Sequence, residues 1–490
     1  MVPIFLILIP LLSGLLCLVV GSRVWWERVN LLAFAAVAGL AGVLALEVSR
    51  WGPVSVMDDF LRADALSAIV VALTAFVALV CGLYAVGYFR RELSEGRVTE
   101  RQLRRYYVLT PLFVGAMLLA PLANNLGVMW VAIESSTLAS VLLVTFYSQR
   151  TSFEAGWKYI IIGSVGISLA LFGTVITYSS AIAALGPSAH HGMNWSVLVE
   201  VADKLNPQAM RLAFVMVLLG YGTKAGLAPM HTWKPDAYAE APVPAAALLG
   251  AGFINCAIYA IIRFDVLAEK CLGHAFPSHL LIGFGVFSIL LAAPFVLVQR
   301  NFRRLLAYSS IDHAGIMVSA LGFGGLFGAR GAVLHMLFHG LTKPLLFFST
   351  GNIQQEFGSP YFRKVRGVVH VLPWTGGLLL LATFAVTGTP PFSLFQSEFT
   401  ALSGALAADH GWAAFLFILG VVVIFVGFLV HMAKMNLGAA PESMPRVAEC
   451  PWKLAAMILV ALVVVAIAFW LPDPVTALVG ESVKILGGGL

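Results

Sequence analysis

The chain has 490 residues, of which 60% are hydrophobic and only 11% charged, with a mean hydropathy of +0.91. Soluble domains carry roughly 25% charged and 45–50% apolar residues, so a water-soluble globule is excluded. The formal charge of +6 is scattered over short segments between apolar runs, unlike the concentrated basic patch of a nucleic-acid binder.

A spanning helix needs about 20 apolar residues, and about fourteen such segments can be placed in chain order, which makes this an all-α polytopic membrane protein. The first, 3–21, has no basic lead and no small-residue cleavage site, and reads as a span rather than a leader. Spans at 29–47, 65–88, 106–122, 125–147 and 155–180 follow. The seventh, 210–229, runs into "GYGTKAGLAPMHTWKPDA", where Lys224 interrupts the apolar run and Pro229 breaks the helix just after it. Spans at 243–262, 280–298, 305–327 and 331–353 come next. The twelfth, 369–402, is interrupted at "TGTPPFSLFQSEF", where Pro390 and Pro391 precede Glu398, and 412–435 and 452–471 complete the set. Strand alternation is absent, which argues against a barrel. The five cysteines lack a CxxC pair, which argues against zinc or iron–sulfur ligation and against a disulfide framework.

Orientation follows from basic residues in the loops. Twenty lysines and arginines, Lys234 among them, fall in the odd-numbered loops, and eight, Arg263 among them, in the even-numbered ones. This split predicts that both termini lie outside, and the expected location is a bacterial or archaeal cell membrane. Lys224 and Lys343 fall inside spans.

The intramembrane charges carry the functional reading. A charge at the centre of a span costs about 2.5–3.5 kcal/mol on insertion scales, so such residues pair structurally or serve a transport route. Glu134 lies nine residues beyond Asn125, about 14 Å deep, and Lys224 thirteen beyond Arg211, about 20 Å deep. With Lys343 and Glu398 they make two carboxylates and two lysines at depth, as a file of proton-carrying groups would. Burial and a nearby opposite charge act oppositely on a lysine's proton affinity, so a movable carboxylate beside a lysine can switch it between holding and releasing a proton. His335, His339 and Lys343 recur at i, i+4 and i+8 and share one helix face, as relay groups or as packed core histidines. His231 lies in the first break. Asp312 and His313, in "LLAYSSIDHAGIM", read either as a proton intake from the basic side or as a satisfied polar turn. A zinc reading of "HMLFH" lacks the glutamate of HExxH and a third ligand, whereas a haem reading would pair His335 or His339 with His313. Spans 7 and 12 are both interrupted and lie five apart, so they run oppositely, as in inverted repeats with ion sites at the breaks.

"WVAIESSTLAS", "WKYIIIGSVGI", "GTKAGLAPMHTWKPDAYAEAPVP", "LLAYSSIDHAGIM", "HMLFHGLTKPLLFFSTGNI" and "TGTPPFSLFQSEF" together resemble the antiporter-like membrane subunits. That superfamily is shared by respiratory complex I, Mrp-type sodium/proton antiporters and membrane-bound group 4 hydrogenases, and the chain looks most like the hydrogenase-4 component F type. The resemblance implies N-terminal spans 1–3 over 1–105, inverted repeats over 106–265 and 278–437, and a last span within 452–490. It implies a carboxylate–lysine pair at Glu134 and Lys224, a relay through His335, His339 and Lys343, and a terminal site at Glu398. One departure stands out: many relatives carry a lysine in span 8, where this chain offers Asn255. The resemblance is expected to be to a subunit type without the long lateral helix of complex I's distal subunit.

The expected function is a non-catalytic proton-translocating subunit of a redox complex. This chain would hold no cofactor, and nickel–iron and iron–sulfur centres would sit in partner subunits of a soluble arm beside other membrane subunits. The alternatives are a proton-channel partner of an inorganic-carbon uptake enzyme, a haem-bearing anchor, and one of the subunits of an Mrp-like sodium/proton antiporter.

Overall fold

Polar caps mark where the chain turns between apolar runs. The computed structural model describes residues 1–186, 192–440 and 444–487. Helices α1 (Val2–Val19) and α2 (Arg23–Trp51) precede an antiparallel hairpin, β1 (Val54–Val56) and β2 (Leu61–Ala63), in which Val54 pairs with Ala63. Helix α3 (Ala65–Ser94) starts where the Asp64 carboxylate accepts from the Ser67 amide, and α4 (Glu100–Leu122) starts on a Thr99/Gln102 capping box. Asn125 caps α5 (Leu126–Val144), and α6 (Arg150–Leu185) runs for 36 residues. A short α7 (Trp195–Glu200) leads to α8 (Pro207–Ala225), which has Asn206 at its cap and proline at its first position. Then come α9 (Trp233–Glu240), α10 (Val243–Leu248) and α11 (Ile254–Leu272), the last two joined through a π-helical turn, Leu249–Phe253. The rest are α12 (Ala275–Val298), α13 (Phe302–Phe323), α14 (Gly325–Phe357), α15 (Val368–Val371), α16 (Pro373–Val386), α17 (Ser393–Ala407), α18 (Gly411–Leu437), α19 (Pro451–Phe469) and α20 (Asp473–Ile485).

Eleven helices among the described residues are long and apolar enough to cross a membrane: α1 to α6, the joined α10–α11, α12, α14, α18 and α19. The other three expected spans fall on α8, α13 and the interrupted α16–α17 pair. Outer helices present Leu12, Trp157, Phe172, Phe415 and Leu462 to their surroundings, the surface expected against lipid. The interior is built on α10–α11 and α14, which are buried almost throughout. The last span closes at Phe469, and Asp473–Ile485 folds back as α20 against α2, α3 and α14. Hydropathy does not reveal that helix, because its 13 residues include Asp473, Glu481 and Lys484 and fail any span test.

At one end of the bundle the hairpin, α7 and the start of α5 interlock, with Asn124 donating to Asp59 at 2.7 Å and to Ser196 at 2.9 Å. Arg263, expected in a loop here, is instead buried: it pairs with Asp64 at 2.7 Å between the rings of Trp195 (4.1 Å) and Tyr259 (4.6 Å). The opposite end gathers the basic residues, paired as Arg90–Glu27 (2.6 Å), Arg91–Glu356 (2.7 Å) and Arg304–Asp236 (2.6 Å).

Candidate functional site

The first break in the helical run sets the geometry of everything near it. Helix α8 stops at Gly226, whose φ of +82° suits glycine, and the chain passes Pro229 before restarting at Trp233. One residue before the end of α8, the Lys224 ammonium donates to Thr137 Oγ1 at 2.6 Å and lies 3.3 Å from Glu134 Oε2. Glu134 and Thr137 are three apart on α5 and so share a face. Gly163 on α6 makes the room, since a Cβ there would lie 3.1 Å from the ammonium. Lys224 is fully buried, whereas the Glu134 side chain is 22% exposed, so the pair is sealed on the lysine side and open on the carboxylate side.

Beyond the break, α9 is fixed from both sides. Trp233 donates to the Thr223 carbonyl at 2.9 Å and stacks on Tyr159 at 4.4 Å. Asp236 faces outward and joins Lys158 (2.9 Å) and Arg304 (2.6 Å). Lys234, two residues earlier and about 200° around the helix, faces inward. Its assignment to a basic loop is therefore corrected: the side chain is fully buried, and its ammonium donates to the Ala225 carbonyl at 2.5 Å. Flanking Pro235 and Asp236 made the segment look like a loop. His231 is buried beside the break, with its ring 6.5 Å from Tyr308.

The second cluster lies between α13, α14 and α17. His335, His339 and Lys343 are all fully buried on α14, and the two imidazoles are nearly parallel, 6.4 Å apart. His313 on α13 lies 5.1 Å from the His335 ring and 4.8 Å from that of His339. His313 Nδ1 and His335 Nε2 are hydrogen-bonded at 2.9 Å, and His335 Nδ1 reaches Ser397 Oγ at 2.9 Å. Lys343 donates to Ser309 Oγ at 3.0 Å, and Ser309 shares the wall of a small cavity with Asp312 and Glu398. A donor atom from each of His313, His335 and Glu398 falls within 4.8 Å of the other two. The fold thus supplies the third potential ligand that the "HMLFH" spacing lacks, although it bypasses His339. The direct hydrogen bond between His313 and His335 leaves no gap for a macrocycle between them, and the 4.8 Å ring separation of His313 and His339 leaves none between that pair. Glu398 is partly exposed, and its carboxylate lies over Gly388, where a Cβ would overlap it.

Asp312 and His313 are buried, at 3% and 2% exposure. They line a cavity of about 10 Å³ with Ser309, Thr387 and Glu398. At the basic end lies a polar cavity of about 390 Å³ lined by Tyr88, Glu92, Tyr147, Glu240, Arg303 and Gln355. Nothing in the sequence marks it, because its walls come from separate segments whose polar residues look like ordinary helix ends. Asn255 follows the π-helical turn, donates to the Ala251 carbonyl at 2.7 Å, and packs against Gly340, next to His339. Among the described residues, Asn255 Oδ1, Asp312 Oδ1 and both ring nitrogens of His339 have no protein partner.

Helices broken at Gly and Pro, with ionisable side chains gathered at depth, define the antiporter-like class of membrane subunits. The chain belongs to the NADH:quinone oxidoreductase/Mrp antiporter transmembrane family, whose profile matches residues 123–427. It is 37% identical over 380 residues to a hydrogenase-4 component F homolog of Methylacidiphilum infernorum, covering 78% of this chain and 79% of that protein. It is 28% identical over 459 residues to NADH-quinone oxidoreductase subunit N of Desulforudis audaxviator, covering 91% and 87%. Its fold matches a chain of the archaeal membrane-bound sulfane sulfur reductase with a TM-score of 0.86, at 22% identity and full coverage of both chains. A chain of the Mrp complex from Dietzia sp. matches with a TM-score of 0.83, at 18% identity, covering 99% and 97%. The relatives are thus subunits of multisubunit membrane complexes.

Proposed function

We propose that this chain moves protons across the membrane as a non-catalytic subunit of a multisubunit redox complex of the group 4 hydrogenase or formate hydrogenlyase type. The observation that carries the reading is the buried sequence of ionisable groups, from the Glu134–Lys224 pair to the hydrogen-bonded His313–His335–Ser397 group beside Glu398. In the working cycle, a push from the partner subunits separates Glu134 from Lys224. The lysine releases its proton inward, the imidazoles and Lys343 pass it on, and Glu398 delivers it. Moving one charge against the membrane potential costs about 2.3 kcal/mol per 100 mV, so the drive must come from a coupled reaction. Nickel–iron and iron–sulfur centres belong in this reading to partner subunits of a soluble arm.

The two breaks are built alike, which supports two related halves at 106–265 and 278–437. Each has a left-handed glycine with an ionisable side chain laid against it: Gly226 with Lys234, and Gly388 with Glu398. The basic end is assigned to the cytoplasm, with both termini outside. The 390 Å³ cavity at that end is the water-facing intake. Identity favours the hydrogenase-type reading over an Mrp-like antiporter, at 37% against 27% for a Na(+)/H(+) antiporter chain of Alkalihalophilus pseudofirmus.

The test is isolation of the chain with its partners from the native membrane. Co-purifying hydrogenase-like subunits, with proton uptake into vesicles that depends on their redox turnover, support the proposal. Sodium-dependent proton flux from the chain alone would establish the antiporter reading instead. A zinc-containing soluble partner would establish the carbon-uptake one.

A further inference from the structure

We infer that Lys234 carries the proton between the two half-channels, taking the part that a span 8 lysine would play if Asn255 were one. The inference rests on the proposed transport function. Between Lys224 and the second cluster the chain must cross the break at Gly226–Thr232, and an amide at Asn255 can neither accept nor release a proton at neutral pH. Lys234 stands at this crossing. Its ammonium is hydrogen-bonded to the carbonyl of Ala225, the residue next to Lys224, at the buried C-terminal end of α8, where the last carbonyls carry the negative end of the helix dipole. In the other direction the ammonium lies 5.8 Å from the Tyr238 ring, which packs at 5.6 Å on Phe347 of α14, the helix that carries His339 and Lys343.

A structural lysine buried in this way would be expected to hold a carboxylate. Lys234 has none among the described residues, and the neighbouring carboxylate, Asp236, is turned outward to Lys158 and Arg304. Its contacts are one backbone carbonyl and the Tyr238 ring at 5.8 Å. An ammonium held only by neutral groups can give up its proton without leaving a buried anion unpaired. The candidate acceptor on α14 is His339, whose ring nitrogens are both unoccupied by protein groups. The left-handed Gly226 leaves space for this, because a Cβ there would lie 2.7 Å from the Lys234 ammonium.

The test compares proton uptake by the chain, reconstituted with its partner subunits in phospholipid vesicles, for wild type, Lys234→Leu, Lys224→Ala and the double variant Lys234→Leu/Asn255→Lys. Lys234→Leu should lower the initial uptake rate by about tenfold or more, with the assembly intact on size exclusion and redox turnover by the partners retained. The double variant should recover a measurable part of the rate, because a lysine at 255 faces α14 beside His339; a merely structural role for Lys234 would not be restored from that position. Wild-type uptake by Lys234→Leu, with uptake abolished in Lys224→Ala, overturns the inference and leaves the transport function standing. Wild-type uptake in both single variants overturns the transport function itself. If Lys234→Leu fails to assemble, Lys234→Arg decides: its guanidinium fills the site but does not release a proton, so wild-type uptake by it overturns the inference and loss of uptake supports it.

Discussion

Replacing Lys224 by arginine separates charge from proton transfer at the centre of the proposed route. At 3.3 Å and an effective dielectric of about 20, the Lys224–Glu134 attraction is about 5 kcal/mol, less whatever solvent screening reaches the 22% exposed carboxylate. Arginine preserves most of that attraction, so Glu134 keeps a partner and the α5–α8 contact persists. What changes is the release of the proton. A guanidinium binds its proton about 2–3 pH units more tightly than an ammonium in water, so the neutral form becomes rarer by about 10²–10³. The expectation is proton uptake at least about a hundredfold slower in Lys224→Arg than in wild type, with thermal stability of the purified assembly nearly unchanged. Lys224→Met should lose both, because it strands the Glu134 carboxylate. A pH-sensitive dye trapped in reconstituted vesicles reads the uptake, and differential scanning fluorimetry reads the stability. Wild-type uptake by the arginine variant would show that a fixed positive charge suffices at this position, and the proton-carrying role would be refuted.

Three further outcomes are expected. Arg263→Met strands Asp64 as an uncompensated buried charge and should cost about 3–5 kcal/mol, seen as a lower unfolding midpoint in detergent; an unchanged midpoint contradicts the burial argument. Gly388→Ala adds about 1–2 kcal/mol of left-handed backbone strain and drives the Glu398 carboxylate off its seat, so uptake should fall in assembled complexes, while Gly411→Ala, which meets nothing within 4 Å, leaves it unchanged. At the α11–α12 turn, the 2.5 Å hydrogen bond to Glu269 raises the His274 pKa above its ordinary value. The stabilisation from that pair is complete below about pH 6.5 and disappears as pH rises through the raised value of the folded state. The wild-type unfolding midpoint should exceed that of His274→Gln most at low pH, by a small amount because the imidazole is 47% exposed; a difference that grows with pH would reverse the assigned sign.

The sequence exposed those features in which a residue contradicts its surroundings. Glu134, Lys224 and Lys343 are charges inside apolar runs, and Pro229 and Pro390–Pro391 interrupt such runs, so each stands out without any knowledge of packing. Lys234 did not stand out, because Pro235 and Asp236 follow it and a loop explains all three equally well. Only the rotational setting of α9 separates the inward lysine from the outward aspartate. Arg263 was hidden for a different reason: its partner Asp64 lies 199 positions away, and the stacking rings come from α7 and α11. The His313–His335–Glu398 grouping needed three helices to converge, which one-dimensional spacing along α14 cannot report. The π-helical turn before Asn255 carries no signal beyond a Gly-rich stretch, "LGAGF", of a kind found in many spans.

The outward-facing carboxylate on α9 has a reach that its position at the membrane edge conceals. Together with Trp233, which holds the inner side of this eight-residue helix, the clasp of Asp236 on Lys158 and Arg304 acts as an index pin for Lys234. Drift in two surface cations, ordinarily the most replaceable residues of a protein, is therefore transmitted to an ammonium deep inside the bundle. Here the membrane rim is part of the interior's machinery.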